Sequence, residues 1–156
     1  MAAELGLEAP DFTLTAHTRE PFTLSSERGR RKVVLAFFPA AFSSVCAREL
    51  CTFRDGVAQL QGGDVAVYGI SVDTFFALDA FHRDQALNFP LLSDINKEVI
   101  RQYDVFSPDM IGLKGIAKRA VFVIDKAGVI RHREVLEDAR NEPDYDQVKA
   151  ALGKLP

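Results

Sequence analysis

Residues 32–51, KVVLAFFPAAFSSVCARELC, join an unbroken apolar run to a helical pattern. The first seven residues are rich in branched and aromatic side chains, which is typical of a strand covered on both faces. Apolar residues then recur at spacings of three and four, which predicts a helix near residues 44–61 with one buried face. The residues of this stripe are Leu50, Phe53, Val57 and Leu60. A buried strand that leads directly into a helix is typical of an α/β fold.

The same two patterns recur along the rest of the chain. The apolar runs VAVYGISV at 65–72 and AVFVI at 120–124 predict two further buried strands. Asp73, which follows the first of these runs, is interpreted as a helix cap rather than an acid catalyst. Helical patterns lie near residues 74–86, 96–102 and 143–152. Strands that alternate with helices predict an α/β sandwich with a largely parallel central sheet.

Two hairpins are predicted outside these buried runs. Residues 11–24 alternate apolar and polar around a Thr-Arg-Glu-Pro turn, which predicts an N-terminal hairpin at an edge of the sheet. The turn from Asp125 to Gly128, followed by VIRHREV, predicts the second hairpin. Residues 104–118 show no clear period and contain one proline and two glycines, which predicts a long loop. Loops of that length in compact domains are often functional.

Composition and charge narrow the class of protein. Of the 156 residues 47% are hydrophobic and 26% charged, so one domain over residues 1–156 is expected. The net charge of -3 gives no positive field for a phosphate backbone, and the basic run at 28–32 is interpreted as a solvated turn. No stretch reaches the roughly eighteen apolar residues of a membrane span, and the acidic start MAAELGLEAPDF is unlike a secretory signal. We therefore expect a cytoplasmic protein with no nucleic-acid or membrane partner.

The two cysteines of the chain, Cys46 and Cys51, lie only five residues apart. In a reducing cytosol such a pair is more often catalytic or metal-binding than a structural disulfide. The three histidines, His17, His82 and His132, are widely spaced, and neither an H-x-x-x-H nor a C-x-x-C motif is present. We therefore expect no metal and no other cofactor, and the cysteine pair indicates thiol chemistry.

The position of Cys46 on the predicted helix supports two interpretations. At 100° per residue it falls at the centre of the buried stripe, where a free cysteine is a common and inert core residue. Alternatively, Ser43 or Ser44 caps the helix, and the unpaired N–H groups of the first turn favour a thiolate on Cys46. A helix end contributes only about 0.3 to 1 kcal/mol, so a reactive thiolate requires a further cation.

A family resemblance favours the reactive interpretation. Residues 39–46, PAAFSSVC, resemble the P-x-x-x-T/S-x-x-C active-site segment of peroxiredoxins. Further similar segments follow the order of that family: GLEAPDFTL near the start, GISVD at 69–73, FPLLSD at 89–94 and RAVFVID at 119–125. The resemblance implies a thioredoxin-like three-layer sandwich with a mixed central sheet. It also implies a thiol-specific peroxidase that reduces hydrogen peroxide and organic hydroperoxides, similar to the bacterioferritin comigratory protein and alkyl hydroperoxide reductase E groups.

The resemblance also implies a role for each matching residue. Cys46 would be oxidised to a sulfenic acid, and Arg119 would contact both the sulfur and the peroxide. Pro39 would shield the thiolate, and Ser43 would bind sulfur and substrate through its hydroxyl, although most members carry threonine there. Glu49 matches the acidic residue of many members and is expected either to pair with Arg119 or another arginine, or to be a solvated carboxylate.

The role of Cys51 depends on whether the helix that carries it can unwind. Residues five apart in a regular helix have Cα atoms about 8.7 Å apart, whereas a disulfide needs them within about 7 Å, so bridging Cys46 and Cys51 requires local unwinding. Some peroxiredoxins of the bacterioferritin comigratory group place a resolving cysteine at this spacing. This implies an intramolecular disulfide that a thioredoxin-like protein reduces.

Three other readings remain open. In a one-cysteine peroxidase, similar to the alkyl hydroperoxide reductase E group, an external low-molecular-weight thiol would resolve Cys46. The chain would otherwise be a thioredoxin-like protein disulfide oxidoreductase, although those enzymes usually rely on C-x-x-C, or a non-catalytic redox sensor. The resemblance also makes a homodimer an expectation.

Overall fold

The computed structural model describes residues 3–56 and 64–156, and within them nine strands alternate with four α-helices. The strands are β1 Thr13–Ala16, β2 Pro21–Thr23, β3 Lys32–Phe37, β4 Val65–Ser71, β5 Leu91–Ser93, β6 Phe106–Ser107, β7 Ile116–Ala117, β8 Arg119–Ile124 and β9 Ile130–Leu136. The α-helices are α1 Ser44–Asp55, α2 Phe75–Asp84, α3 Val99–Gln102 and α4 Tyr145–Gly153, and a 3-10 helix spans Leu24–Glu27.

Seven of the strands form one mixed sheet in the order β2-β1-β5-β4-β3-β8-β9. β3 is parallel to β4, and β4 is parallel to β5, as expected for strands joined by helical crossovers. On its other side β3 pairs with β8 in the antiparallel sense, and β8 pairs with β9 in the same way. The predicted parallel centre is therefore confirmed for β5, β4 and β3, whereas β8 runs against them.

The central strand β3 is buried along its whole length, as its apolar run predicts. Because side chains alternate across a strand, Val34 and Ala36 join the core under α1, α2 and α4, whereas Val33, Leu35 and Phe37 join the opposite core. That opposite core includes Ile100 of α3 and the N-terminal segment around Phe12. Helices and loops on both faces of one sheet give the three layers that the family resemblance implies.

Most predicted elements are confirmed, and the differences concern short segments. The N-terminal hairpin pairs Thr13 with Thr23 and forms one edge of the sheet. β5 has no counterpart in the sequence prediction, because three residues are too few to show a period. The predicted helix at 96–102 is reduced to the four residues of α3, and the loop at 104–118 contains the two-residue strands β6 and β7.

Part of the predicted stripe on α1 lies beyond the described residues. The described part of α1 ends at Asp55, so Val57 and Leu60 lie outside the residues that the structure describes. Within the described residues, no helix is long and apolar enough to cross a membrane.

The prediction of a solvated turn over the basic run is wrong for its last two residues. Arg31 donates from Nε to Glu27 Oε1 at 3.0 Å and from Nη2 to Glu27 Oε2 at 2.5 Å. Lys32 is buried, and its Nζ lies 3.3 Å from Asp64 Oδ2. The charges of these two residues are therefore matched by acidic partners, one of which, Glu27, is itself buried.

Candidate active site

The loop between β3 and α1 positions Cys46 at the start of the helix. Ser43 has an extended backbone, with φ -72° and ψ 146°, and its Oγ accepts a hydrogen bond from the Cys46 backbone N–H at 3.4 Å. Of the two predicted caps, Ser43 and Ser44, Ser43 is therefore the N-cap, and Cys46 lies in the first turn, where the helix dipole favours a negative charge. The predicted contact of Ser43 with the sulfur remains a prediction.

Arg119 lies beside the Cys46 sulfur. It is the first residue of β8, which pairs with β3, and only 1% of its surface is exposed. Its Nη1 and Nη2 each lie 3.4 Å from Cys46 Sγ, and its Nε and Nη2 also donate to the Ala139 carbonyl at 3.2 and 2.9 Å. Because a guanidinium stays charged even when buried, Arg119 provides the cation that a Cys46 thiolate requires.

Glu49 completes a buried cluster with these two residues. It lies one turn after Cys46 on α1 and is fully buried, and its Oε1 accepts from Arg119 Nη1 at 2.7 Å. The expected pairing with Arg119 is therefore present, and the alternative of a solvated carboxylate is wrong. Burial raises the pKa of Glu49 to about 7, while the charge and hydrogen bond of Arg119 act in the opposite direction. Its second oxygen, Oε2, has no hydrogen-bond partner within residues 3–56 and 64–156.

An open pocket of about 520 Å³ reaches this cluster at Arg119 and is also lined by Ser43. Pro39 and Ala40 line the pocket beside Ser43, so the predicted shielding residue lies where substrate would enter. The rest of the lining comes from α1, from the loop predicted at 104–118 and from the segment after β9: Ser44, Val45, Met110, Ile111, Leu113, Ile116, Glu137, Asp138, Ala139 and Arg140. The pocket therefore combines a mainly apolar wall with one buried cation.

Cys51 is not part of this cluster. It is half-buried on the same helix, and its Sγ donates to Gln85 Oε1 at 3.1 Å, at the C-terminal end of α2. Both cysteines are free thiols, and residues 44–55 form one continuous helix. The distance between residues five apart in a helix therefore applies to this pair, and a disulfide requires the helix to unwind.

Asp73 contacts the active-site loop, and the sequence analysis did not predict this contact. Thr74 is the N-cap of α2, because its Oγ1 accepts from the Ala77 N–H at 3.2 Å. Asp73 instead accepts a hydrogen bond from the Ala41 N–H through Oδ2 at 2.8 Å. The prediction of a cap at Asp73 is therefore wrong. Two adjacent residues that can both cap a helix gave no signal for choosing between them.

Two of the three histidines contact each other. The rings of His17 and His82 stack at 3.9 Å between centroids, and burial lowers the pKa of both. Across the part of the chain that the structure describes, no three His, Cys, Asp or Glu side chains are grouped so as to hold a metal ion.

Comparisons with known proteins show the family to which the chain is similar. The model of the AhpC/TSA family matches residues 5–133. The chain is 37% identical over 145 residues to a chloroplastic 2-cysteine peroxiredoxin of Chattonella marina var. antiqua, covering 86% of this chain and 72% of that protein. It is 35% identical over 152 residues to alkyl hydroperoxide reductase E of Mycobacterium tuberculosis, covering 95% of this chain and 97% of that protein.

A solved structure is similar to this chain in its fold. The crystal structure of a peroxiredoxin-like protein from Aquifex aeolicus matches with a TM-score of 0.90 at 25% identity, covering 100% of this chain and 90% of that one. The thioredoxin-like sandwich that the sequence resemblance implies is therefore confirmed.

Proposed function

The chain belongs to the AhpC/TSA family and is a thiol-dependent peroxidase, and we propose that Cys46 is the cysteine that the peroxide oxidises. The observation that carries this proposal is the position of Arg119, whose two terminal nitrogens both lie 3.4 Å from Cys46 Sγ. A buried cation at hydrogen-bond distance from a thiol stabilises the thiolate, which is the nucleophilic form.

The proposed first step is attack of the Cys46 thiolate on one oxygen of the peroxide. A sulfur–oxygen bond forms and the O–O bond breaks, so Cys46 is oxidised to a sulfenic acid. The other oxygen leaves with the bonding electron pair and takes up a proton, which yields water or an alcohol. Negative charge moves from sulfur to the leaving oxygen, and a guanidinium with several donors stabilises both positions.

The pocket supports hydrogen peroxide and organic hydroperoxides as substrates. Its volume of about 520 Å³ far exceeds that of hydrogen peroxide, and most of its lining is apolar. An alkyl group would contact Met110, Ile111 and Leu113, while the O–O group faces Arg119. In this arrangement the Ser43 hydroxyl binds the substrate oxygen, and Pro39 keeps water from the sulfur.

We propose that Cys51 resolves the sulfenic acid. Its thiolate attacks the Cys46 sulfur, so an S–S bond forms and the S–O bond breaks, and hydroxide leaves and becomes water. Since α1 is continuous from Ser44 to Asp55, its first turns unwind before this attack. A thioredoxin-like dithiol then reduces the disulfide, with two electrons passing to the chain.

Two single-cysteine variants test the proposal. Cys46→Ser should abolish hydrogen peroxide consumption in the presence of dithiothreitol, whereas Cys51→Ser should retain it. Oxidised wild type should contain no free thiol and give a 46–51 linked peptide by mass spectrometry. Cys51→Ser should stop at the sulfenic acid and overoxidise readily. Unchanged peroxide consumption by Cys46→Ser would overturn the assignment of Cys46 as the oxidised cysteine, whereas a wild type that consumes no peroxide would favour the sensor or dithiol oxidoreductase hypotheses.

One observation favours a one-cysteine peroxidase as a second candidate. The Cys51 thiol faces Gln85 rather than the pocket, as it would if it took no part in the reaction. In that case an external thiol, such as a low-molecular-weight thiol, resolves Cys46. Oxidised wild type would then keep one free thiol for each chain and show no cross-linked peptide.

The assembly and location of the enzyme are also proposals. We propose a homodimer, which sedimentation equilibrium at micromolar concentration measures directly. A cytoplasmic location fits two free thiols, because a reducing compartment keeps such thiols available for turnover. Fractionation of cells that express the chain would test that location.

A further inference from the structure

The Asp73 carboxylate holds the loop that leads into the active-site helix. The loop at residues 39–43 links β3 to α1, and its Ala41 N–H donates to Asp73 Oδ2 at 2.8 Å. Asp73 belongs to a different part of the chain, at the end of β4. The same Oδ2 also accepts from the Ser71 hydroxyl at 2.7 Å. The Asp73 side chain therefore joins the loop to the neighbouring strand.

Asp73 is itself held by two strand ends. Its backbone N–H donates to Ser71 Oγ at 3.2 Å, and its carbonyl accepts from Ser93 Oγ at 2.6 Å. Ser71 ends β4 and Ser93 ends β5, and both are buried. Because these serines fix the position of Asp73, the bond to Ala41 transmits the geometry of the sheet to the loop.

The loop needs such a restraint because its conformation is strained. Phe42 has φ +69°, a left-handed conformation that is unfavourable for a bulky residue. Its ring contacts Phe81 at 5.1 Å between centroids, yet 56% of the residue is exposed. The next residue is Ser43, the N-cap of α1. A change at Phe42 would therefore move the cap and the first helical turn together.

We propose that Asp73 is a positioning residue, a latch that holds residues 39–43 in the conformation in which Cys46 reduces peroxide. Opening the latch lets Phe42 relax and frees the first turn of α1 to unwind, which Cys51 needs to reach the sulfenic acid. The second half of this inference rests on the proposed resolving role of Cys51. The latch therefore favours the first chemical step and opposes the second.

This balance predicts opposite effects on the two steps when the latch is removed. In Asp73→Ala, Cys46 oxidation should slow by roughly tenfold or more, the factor expected for one lost hydrogen bond to a charged group. Formation of the 46–51 disulfide should accelerate by a similar factor, and more peroxide should be needed to overoxidise half of the enzyme. Because an unfolded chain would also lose the thiolate site and bring the two cysteines together more easily, urea unfolding must first show that Asp73→Ala is as fully folded as wild type.

Two further variants complete the design. Asp73→Asn keeps an oxygen that can accept from Ala41, so both rates should return to within about twofold of wild type. Asp79→Ala removes a carboxylate on α2 that pairs with Arg83, not with the loop, and serves as the matched control. Since the chain has no tryptophan, rapid acid quench, alkylation and mass spectrometry measure each cysteine state over time.

The outcomes separate the latch from the role of Cys51. If Asp73→Ala slows Cys46 oxidation in a Cys51→Ser background, the latch is supported whether or not wild type forms a disulfide. A wild type that forms no disulfide would overturn only the resolving role of Cys51. Where wild type does form the disulfide, faster closure in Asp73→Ala is required as well. Unchanged Cys46 oxidation in Asp73→Ala, or both steps slowed alike, overturns the latch.

Discussion

Two buried glutamates, Glu27 and Glu49, each pair with an arginine, and they differ in how many donors they receive. Glu27 is bonded through both oxygens to Arg31 and also accepts from the Tyr68 hydroxyl. Glu49 accepts one hydrogen bond, from Arg119, and the described residues offer its other oxygen no partner. Both pairs therefore consist of a buried glutamate and an arginine. In the Glu27 pair both carboxylate oxygens accept hydrogen bonds, whereas in the Glu49 pair only one does so within the described residues.

The pKa values of the two carboxyls move in opposite directions for this reason. Burial pushes the pKa of Glu27 upward, but the hydrogen bonds from Arg31 and Tyr68 outweigh it, so the pKa lies below its usual value. At Glu49 burial outweighs the single partner and raises the pKa to about 7. A fully satisfied pair stabilises the fold as a fixed ion pair. An under-satisfied pair leaves its arginine available to a second partner, which here is the Cys46 sulfur.

Replacing each arginine with alanine should give the largest difference between the two pairs, in both peroxidase activity and stability. Arg119→Ala should fold yet lose peroxidase activity by more than tenfold, toward the roughly hundredfold loss typical of one transition-state donor, because it removes the cation beside Cys46. Arg31→Ala is the matched control and should destabilise the fold while keeping activity within about twofold. Hydrogen peroxide consumption with dithiothreitol measures the activity, and urea unfolding measures the stability.

Arg119→Lys sharpens this test, because it keeps the charge and loses the planar fork. An intermediate activity would show that both charge and geometry contribute. Parental rates in Arg119→Ala would show that the contact with Cys46 has no part in catalysis.

The second-largest effect is expected in the pH dependence of the free energy of unfolding, to which Glu49 contributes. Because its pKa is raised to about 7, the folded chain keeps a proton between pH 4.5 and 7 that the unfolded chain has lost. The free energy of unfolding should therefore fall as pH rises through this range, by roughly 2 to 3 kcal/mol. Glu49→Gln, which has no such proton to lose, should lack this decrease.

Urea unfolding of both proteins between pH 5 and 8, with the thiols kept reduced, measures the Glu49 contribution as the difference between two slopes. Equal slopes in wild type and Glu49→Gln would mean that Arg119 keeps Glu49 ionised, and the contrast with Glu27 would then disappear.

The smallest effect is expected at Glu27, and it has the opposite sign. Its lowered pKa means that the ionised form stabilises the fold above the ordinary value of 4.5, and that this stabilisation is lost as pH falls through the folded pKa. Glu27→Gln should lower the free energy of unfolding by about 1 to 2 kcal/mol at pH 7. The difference in free energy of unfolding between Glu27→Gln and wild type should be smaller at pH 4 than at pH 7, and urea titrations at both pH values measure it. A gap that widens in acid would contradict the assignment.

Local patterns were sufficient for features that depend on neighbouring residues. The buried stripe placed Cys46 inward, and the serine before the helix identified its cap. Asp73 and Arg31 were misread because their partners are set by the fold or by burial. A strand–Asp–helix pattern indicates a cap whether or not Ala41 is near, and a basic run looks solvated unless Glu27 is known to be buried.

The sequence by itself determined the alternation of strands and helices, the inward side of α1 and the presence of two nearby thiols. Its resemblance to peroxiredoxins indicated Arg119 and Glu49 as members of the site, but not their geometry. Only the tertiary structure decided that Arg119 bonds both Cys46 and Glu49, that Cys51 faces Gln85, and that Asp73 restrains the active-site loop. Hydrophobic period and helix caps are short-range properties of the chain, whereas these contacts depend on which strands become neighbours in the sheet.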